Sequence, residues 1–225
     1  MTPAGAADLA ALAAAAPDPP LEADAVFGAE LPRARAYAGL LCSRGIDRGL
    51  LGPREAERVW PRHVMNAAAV RGELPSSAEV IDLGAGAGLP GVPLLLARPD
   101  LRMQLVEPLL RRAEFLTEVI DLLQLPATVR RARAEELAPE TADAVVARAV
   151  APLRKLIPLA LPVIRPGGCL LALKGSTAQA ELDEAQGELG RWPHTRAKVQ
   201  TVGEGIATAT IVRVDRLAPA SRSGR

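Results

Sequence analysis

Residues 79–91 read EVIDLGAGAGLPG, and this stretch decides the fold. Val80, Ile81 and Leu83 form a short apolar run of the kind that makes a buried parallel strand. Gly84, Gly86 and Gly88 follow, alternating with alanine, so the strand runs straight into a tight turn. Pro90 stands where a helix would begin, at a position that tolerates a missing N–H, and the turn therefore delivers the chain to a helix N-terminus. Backbone without Cβ can lie close to a bound molecule, which makes the stretch the cradle of an α/β nucleotide-binding fold.

Outward from the turn, 92–97 reads as a short helix and 101–106 as a second strand ending in Glu107. Residues 109–123 place Leu109, Ala113, Leu116, Ile120 and Leu123 on one face of an amphipathic helix. A weak third strand at 127–131, a β-branched fourth at 143–147, a turn at Gly167 and Gly168 and a fifth strand ending at Lys174 extend the parallel set. A polar helix is expected at 181–189, and 197–202 with 207–214 alternate across a GEG turn as an antiparallel hairpin. Ahead of the sheet, 31–43 and 54–70 carry helical periodicity, with Pro61 breaking the second and a glycine-rich loop at 43–52 between them. The fold class is α/β, mostly parallel with a C-terminal hairpin and N-terminal helices. It divides into a flexible leader at 1–20, a helical extension at 21–74, a core at 75–215 and a disordered tail at 216–225.

The 225 residues and 49% hydrophobic content suit one domain with an ample core. Net charge is only +1, yet 24 of the 27 basic residues are arginines that come in clumps, which allows local basic patches. Cys42 and Cys169 are far apart and in no metal-ligand spacing, so the chain reads as a reduced cytoplasmic protein without disulfides or a metal. No basic leader precedes an apolar core, and every apolar run is cut by proline or charge, which argues against secretion and membrane spanning.

Gly86, Gly88 and Gly91 satisfy the dinucleotide fingerprint, with Glu107 about 20 residues on to hold a ribose. Two features favour S-adenosylmethionine over NAD. Asp82 puts a carboxylate at the mouth of the cradle, where a pyrophosphate would meet like charge and a sulfonium would not. The sheet also ends in a hairpin instead of a second nucleotide-binding half, the arrangement of a class I S-adenosylmethionine-dependent methyltransferase, a Rossmann-like fold.

Further motifs follow in unbroken order: DLGAGAGLPGVPL at 82–94, RRAEFL at 111–116, RAEEL at 133–137, RAVAPL at 148–153 and LLALKG at 170–175. Together they resemble the bacterial 16S ribosomal RNA guanine-N7 methyltransferase family, as does RHVMN at 62–66, although Asn66 stands where that family more often has aspartate. The resemblance implies methylation of guanosine N7 in 16S ribosomal RNA, naked or in an assembling small subunit, and cofactor contacts from Gly84, Leu89, Ala134, Glu135 and Arg148.

Guanine N7 already carries a lone pair, so the chemistry requires no catalytic base or cysteine nucleophile, only positioning. Arg148 follows the fourth strand at the sheet's switch-point edge and Lys174 ends the fifth, both as substrate-positioning candidates, Lys174 on an RNA phosphate. Asp82, Gly84, Gly86, Gly88, Leu89, Glu107, Ala134, Glu135 and Arg148 make up the expected cofactor site. Arg111, Arg112, Arg130, Arg131 and Arg133 are RNA-facing candidates, or else a solvated face, and His63 is assigned no role. With five aromatics in the chain, a broad stacking platform is not expected, and the target base is read as extruded into the pocket. A monomer is expected. The alternatives are a methyltransferase acting on another RNA, a non-catalytic cofactor-binding module and a NAD-dependent oxidoreductase.

Overall fold

Alternating apolar residues in the strands send side chains to both faces of a sheet, and the computed structural model, which describes residues 6–148 and 150–218, covers both faces with helices. The strands are β1 (Glu79–Leu83), β2 (Arg102–Val106), β3 (Ala127–Arg130), β4 (Ala142–Arg148), β5 (Ile164–Leu173), β6 (Thr195–Glu204) and β7 (Ala207–Arg216). They lie in the order β3-β2-β1-β4-β5-β7-β6. The first five are mutually parallel, and β7 runs antiparallel between β5 and β6, so the expected hairpin does close the sheet. Among the described residues no helix is long and apolar enough to cross a membrane.

The helices are α1 (Ala6–Ala13), α2 (Glu22–Phe27), α3 (Leu31–Leu40), α4 (Asn66–Ala68), α5 (Gly91–Ala97), α6 (Leu110–Leu123), α7 (Leu153–Ala160), α8 (Ala178–Glu184) and α9 (Gln186–Leu189). Val80, Ala144 and Val146 face one apolar cluster with α5, α6 and the N-terminal helices, whereas Ile81, Val145 and Ala147 face a second with α7 and α8. Residues 21–74 are therefore part of the core. Tyr37, Leu40, Trp60, Val64 and Met65 are buried in the same cluster as β1 and β2 and complete one face of the sheet.

Four local expectations need correction. The leader at 1–20 contains α1, which docks on α3 so closely that a Cβ on Gly39 would overlap the Leu12 carbonyl. Trp60 Nε1–H also donates to Pro17 O at 2.9 Å, so this segment is tied to the body of the fold, while residues 1–5 lie outside the described residues. Pro61 does not break its helix. It lies in a π-helical stretch, Val59–Met65, that follows a 3-10 stretch at Pro53–Arg58, and the wider turn accommodates the missing N–H.

Gly167 and Gly168 lie within β5 opposite a register shift between Ala142 and Ala144, where a Cβ on Gly168 would strike the Asp143 carbonyl. Arg216, expected to begin the tail, is the last residue of β7, and its guanidinium bonds Glu140 Oε1 at 2.6 Å. Residues 219–225 lie outside the described residues.

Gly39→Ala should detach α1 while leaving the sheet folded. We expect a loss of about 1–3 kcal/mol by thermal denaturation, with faster proteolytic cleavage confined to the first 20 residues.

Candidate functional site

The site lies at the carboxyl ends of β1, β2 and β4, where the winding of the sheet reverses between β1 and β4. Gly84, Gly86 and Gly88 have φ of +69°, +57° and +95°, a region that side-chain-bearing residues rarely adopt. Gly84 and Ala85 N–H both donate to Val106 O, at 2.8 and 3.0 Å, and fasten the turn to β2. A Cβ on Gly88 would meet Val92 at 2.7 Å and the Tyr37 hydroxyl at 3.1 Å, whereas one on Gly86 would meet only the Gly84 carbonyl at 3.8 Å. Open space therefore adjoins Gly86.

Asp82 is fully buried beneath the turn, not at its open mouth as the sequence suggested. Its Oδ2 accepts the Gly91 N–H at 2.8 Å, and its Oδ1 is buried with no hydrogen-bond partner among the described residues. Burial pushes the carboxyl up to about 7, against the lowering effects of the Gly91 N–H and the Arg148 charge. Asp82 is thus a buried brace of the turn and not a charge on its surface.

Glu107 is 2% exposed and joins two loops. Its Oε2 accepts Gly86 N–H and its Oε1 accepts Leu109 N–H, both at 3.0 Å. Beside it an apolar slot of about 160 Å³ is walled by Leu83, Val106, Pro108, Ala132 and Leu159, with Arg133, Ala134 and Glu135 along it. Val150 lies over Gly84, where an added Cβ would touch it at 2.8 Å.

Of the expected cofactor residues, Gly84, Ala134 and Glu135 line the slot, Gly86 and Glu107 are joined by their hydrogen bond, and Leu89 packs, partly buried, against the apolar cluster that includes the N-terminal helices. These features fit a nucleoside cofactor: an apolar slot for a base, a glycine turn with room above it, a carboxylate at the end of β2 and a buried Asp82 oxygen without a partner among the described residues. Larger cavities, about 720 Å³ between α1 and α3 and about 500 Å³ at the amino ends of the strands, lie away from this chemistry.

A second cleft of about 450 Å³ is lined by Arg62, Asn66, Arg148, Lys174, Glu181 and Thr210. Arg148 Nη1–H donates to Arg62 O at 3.2 Å and Nη2–H to His63 Nδ1. Lys174, read as a phosphate hook, is engaged within the protein: Nζ donates to Ala151 O at 2.6 Å and pairs with Glu181 Oε2 at 2.9 Å. Arg111 and Arg112 in the first turn of α6, with Arg130, Arg131 and Arg133 at and beyond the end of β3, are all exposed along the carboxyl edge of the sheet.

Sequence reasoning missed two contributors. Val150 carried no signal. Tyr37 is fully buried beneath the turn and its hydroxyl donates to Ala87 O at 2.9 Å; a lone tyrosine in an alanine-rich helix was the available sign, since a buried phenol needs a partner.

The fold and site define an α/β methyltransferase-type protein with a nucleoside cofactor slot. Solved structures of similar fold include a Corynebacterium glutamicum protein, with TM-score 0.56 and 16% identity over 83% of this chain and 92% of that one. Another is M. jannaschii TYW2 in complex with AdoMet, with TM-score 0.53 and 16% identity over 68% of this chain and 74% of that one. Residues 30–206 match the family described as GidB, rRNA small subunit methyltransferase G. Proteins of that name from Thermobifida fusca and Mycobacterium sp. (strain KMS) are 55% and 44% identical, covering 84% and 92% of this chain and 81% and 95% of theirs. The chain belongs to the rRNA small subunit methyltransferase G family.

Two outcomes follow from this geometry. A carboxyl whose native pKa is raised contributes its full stability below pH 3.8 and loses it progressively as pH rises to about 7. In denaturant titrations Asp82→Asn should therefore gain on the wild type across that window, by at most about 1.4 kcal/mol per pH unit, and run parallel above it. Gly86→Asp should weaken S-adenosylmethionine binding by more than about tenfold in calorimetry, because it sets a charged side chain at positive φ next to the Glu107 carboxylate.

Proposed function

We infer that this chain transfers the methyl group of S-adenosylmethionine to N7 of a guanosine in 16S ribosomal RNA. The observation that carries the reading is the family match over residues 30–206, which spans the glycine turn, Glu107, the 134–135 turn and Arg148 together. When bound, S-adenosylmethionine supplies an electrophilic methyl on a sulfonium, open to in-line displacement by the N7 lone pair.

The protein's part is orientation, which is worth roughly 7–11 kcal/mol of barrier in well-aligned systems. The backbone of Gly84 and Gly86 permits close approach, and the slot beside Ala134 and Glu135 accepts the flat adenine. Each Glu107 oxygen accepts one backbone N–H and keeps a further lone pair for a ribose hydroxyl. Among the described residues Arg148 has two of its five N–H donors engaged, and the others can serve a base in the cleft. Lys174, paired with Glu181, holds the loop after β4 against the end of β5 and so shapes the cleft wall.

The exposed arginines at 111, 112, 130, 131 and 133 supply the phosphate contacts that set RNA position, with the target base extruded into the cleft. The same reading has the chain act as a monomer in the cytoplasm, on 16S ribosomal RNA or the assembling small subunit.

Incubation with labelled S-adenosylmethionine and small subunits from a strain lacking the activity should label 16S RNA, and mass spectrometry should place the methyl on a guanine N7. Tight cofactor binding without incorporation would replace this reading with a non-catalytic module, and methyl on another RNA would redirect it.

A further inference from the structure

His63 has no part in the reaction described above, yet it is 6% exposed and both of its ring nitrogens are engaged. Nε2 lies 2.9 Å from Glu55 Oε2, and Nδ1 lies 2.5 Å from Arg148 Nη2. A guanidinium can only donate, so Nδ1 must carry the lone pair, and Nε2 then bears the proton that Glu55 accepts. The pairing sets one tautomer of a neutral imidazole.

Both contacts on the Arg148 guanidinium come from consecutive residues, the Arg62 carbonyl and the His63 ring, within the π-helical stretch Val59–Met65. Such irregular turns commonly re-aim groups at functional sites. Here the turn reaches across to the end of β4 and holds the side chain that lines the substrate cleft.

We propose that neutral His63 is a positioning residue, the acceptor that fixes the Arg148 guanidinium in the cleft, and that protonation of its ring releases that guanidinium. The proposal rests on the reading of Arg148 as a substrate-positioning group. A protonated ring would direct an N–H at a permanent cation, which removes an acceptor and adds like charge.

The charged groups facing His63 are Arg148 from β4, Glu55 from the Pro53–Arg58 stretch and Arg62 beside it, and Arg148 in turn faces Tyr37 and Asp82. Burial, Arg148 and Arg62 lower the ring's pKa from its ordinary 6.5, and Glu55 opposes them. The neutral form is therefore complete above pH 6.5 and is lost only as pH falls through the lowered value.

The test is the pH profile of kcat for methyl transfer, paired with nitrogen NMR of the two histidines, His63 and His194. The wild type should show an acid limb below pH 6.5, with His63 titrating at the same midpoint and carrying its proton on Nε2 at neutral pH. In His63→Asn the amide oxygen can take the place of Nδ1 but cannot titrate, so activity at neutral pH should stay within about threefold and the acid limb should vanish. Glu55→Gln removes the charge that supports protonation and should move the limb down by about half a pH unit or more.

His63→Leu should lose about tenfold in kcat at every pH, with cofactor affinity held. An acid limb that persists unchanged in His63→Asn, an upward shift in Glu55→Gln, or an Nδ1–H tautomer by NMR would overturn the proposal. A wild type that transfers no methyl would instead overturn the functional reading, and the NMR result would stand apart from it.

Discussion

The structure depends on one buried hydrogen bond, from the Gly91 N–H at the start of α5 to the Asp82 carboxylate near the end of β1. It fixes how far the chain can spread between strand and helix, and so gives the glycine turn its shape. Nothing larger than glycine fits at 91, because a Cβ would approach Leu105 to 2.5 Å and Asp82 Oδ2 to 2.6 Å. Glu107 then secures the turn from the side of β2 by accepting the Gly86 N–H. The two carboxylates do different work: one holds the turn from below and the other holds it laterally, and the backbone between them lies open to a ligand.

The N-terminal helices matter to the site as much as to the core. Tyr37 supports the turn through Ala87 O, and the 59–65 stretch holds Arg148 from the opposite side of the cleft. An edge-on contact between Phe27 and Trp60, with ring centroids 6.4 Å apart, packs these helices against one another. Residues from the first third of the chain thus share in covering one face of the sheet, and they also supply a prop beneath the glycine turn and part of the wall of the cleft beside Arg148.

Strands β1, β2 and β4, helix α6 and the final hairpin were legible because their signals are local: apolar runs, a 3.6-residue repeat, and glycine or proline at the joints. Gly84, Ala134 and Glu135 were singled out through a family resemblance, and the structure brings all three to the wall of one slot. Burial was not. Asp82 reads as an open carboxylate until α5 and β2 close over it, and Lys174 reads as a free cation until Glu181 of α8 reaches it. The docked α1 was hidden because an alanine-rich segment followed by PDPP gives no sign of the partner surface that Gly39 offers on α3. Pro61 misled because the usual rule concerns α-helices, and the chain there follows a wider path.

The strand order also decides how the sheet meets other molecules of its own kind. Because β7 is interior, the free margins are β3, only four residues long, and β6, whose Arg196 and Lys198 stay exposed. Short length at one side and positive charge at the other both oppose the addition of a further strand. A sheet rich in aliphatic residues is thereby kept from templating its own aggregation, even where the protein is concentrated.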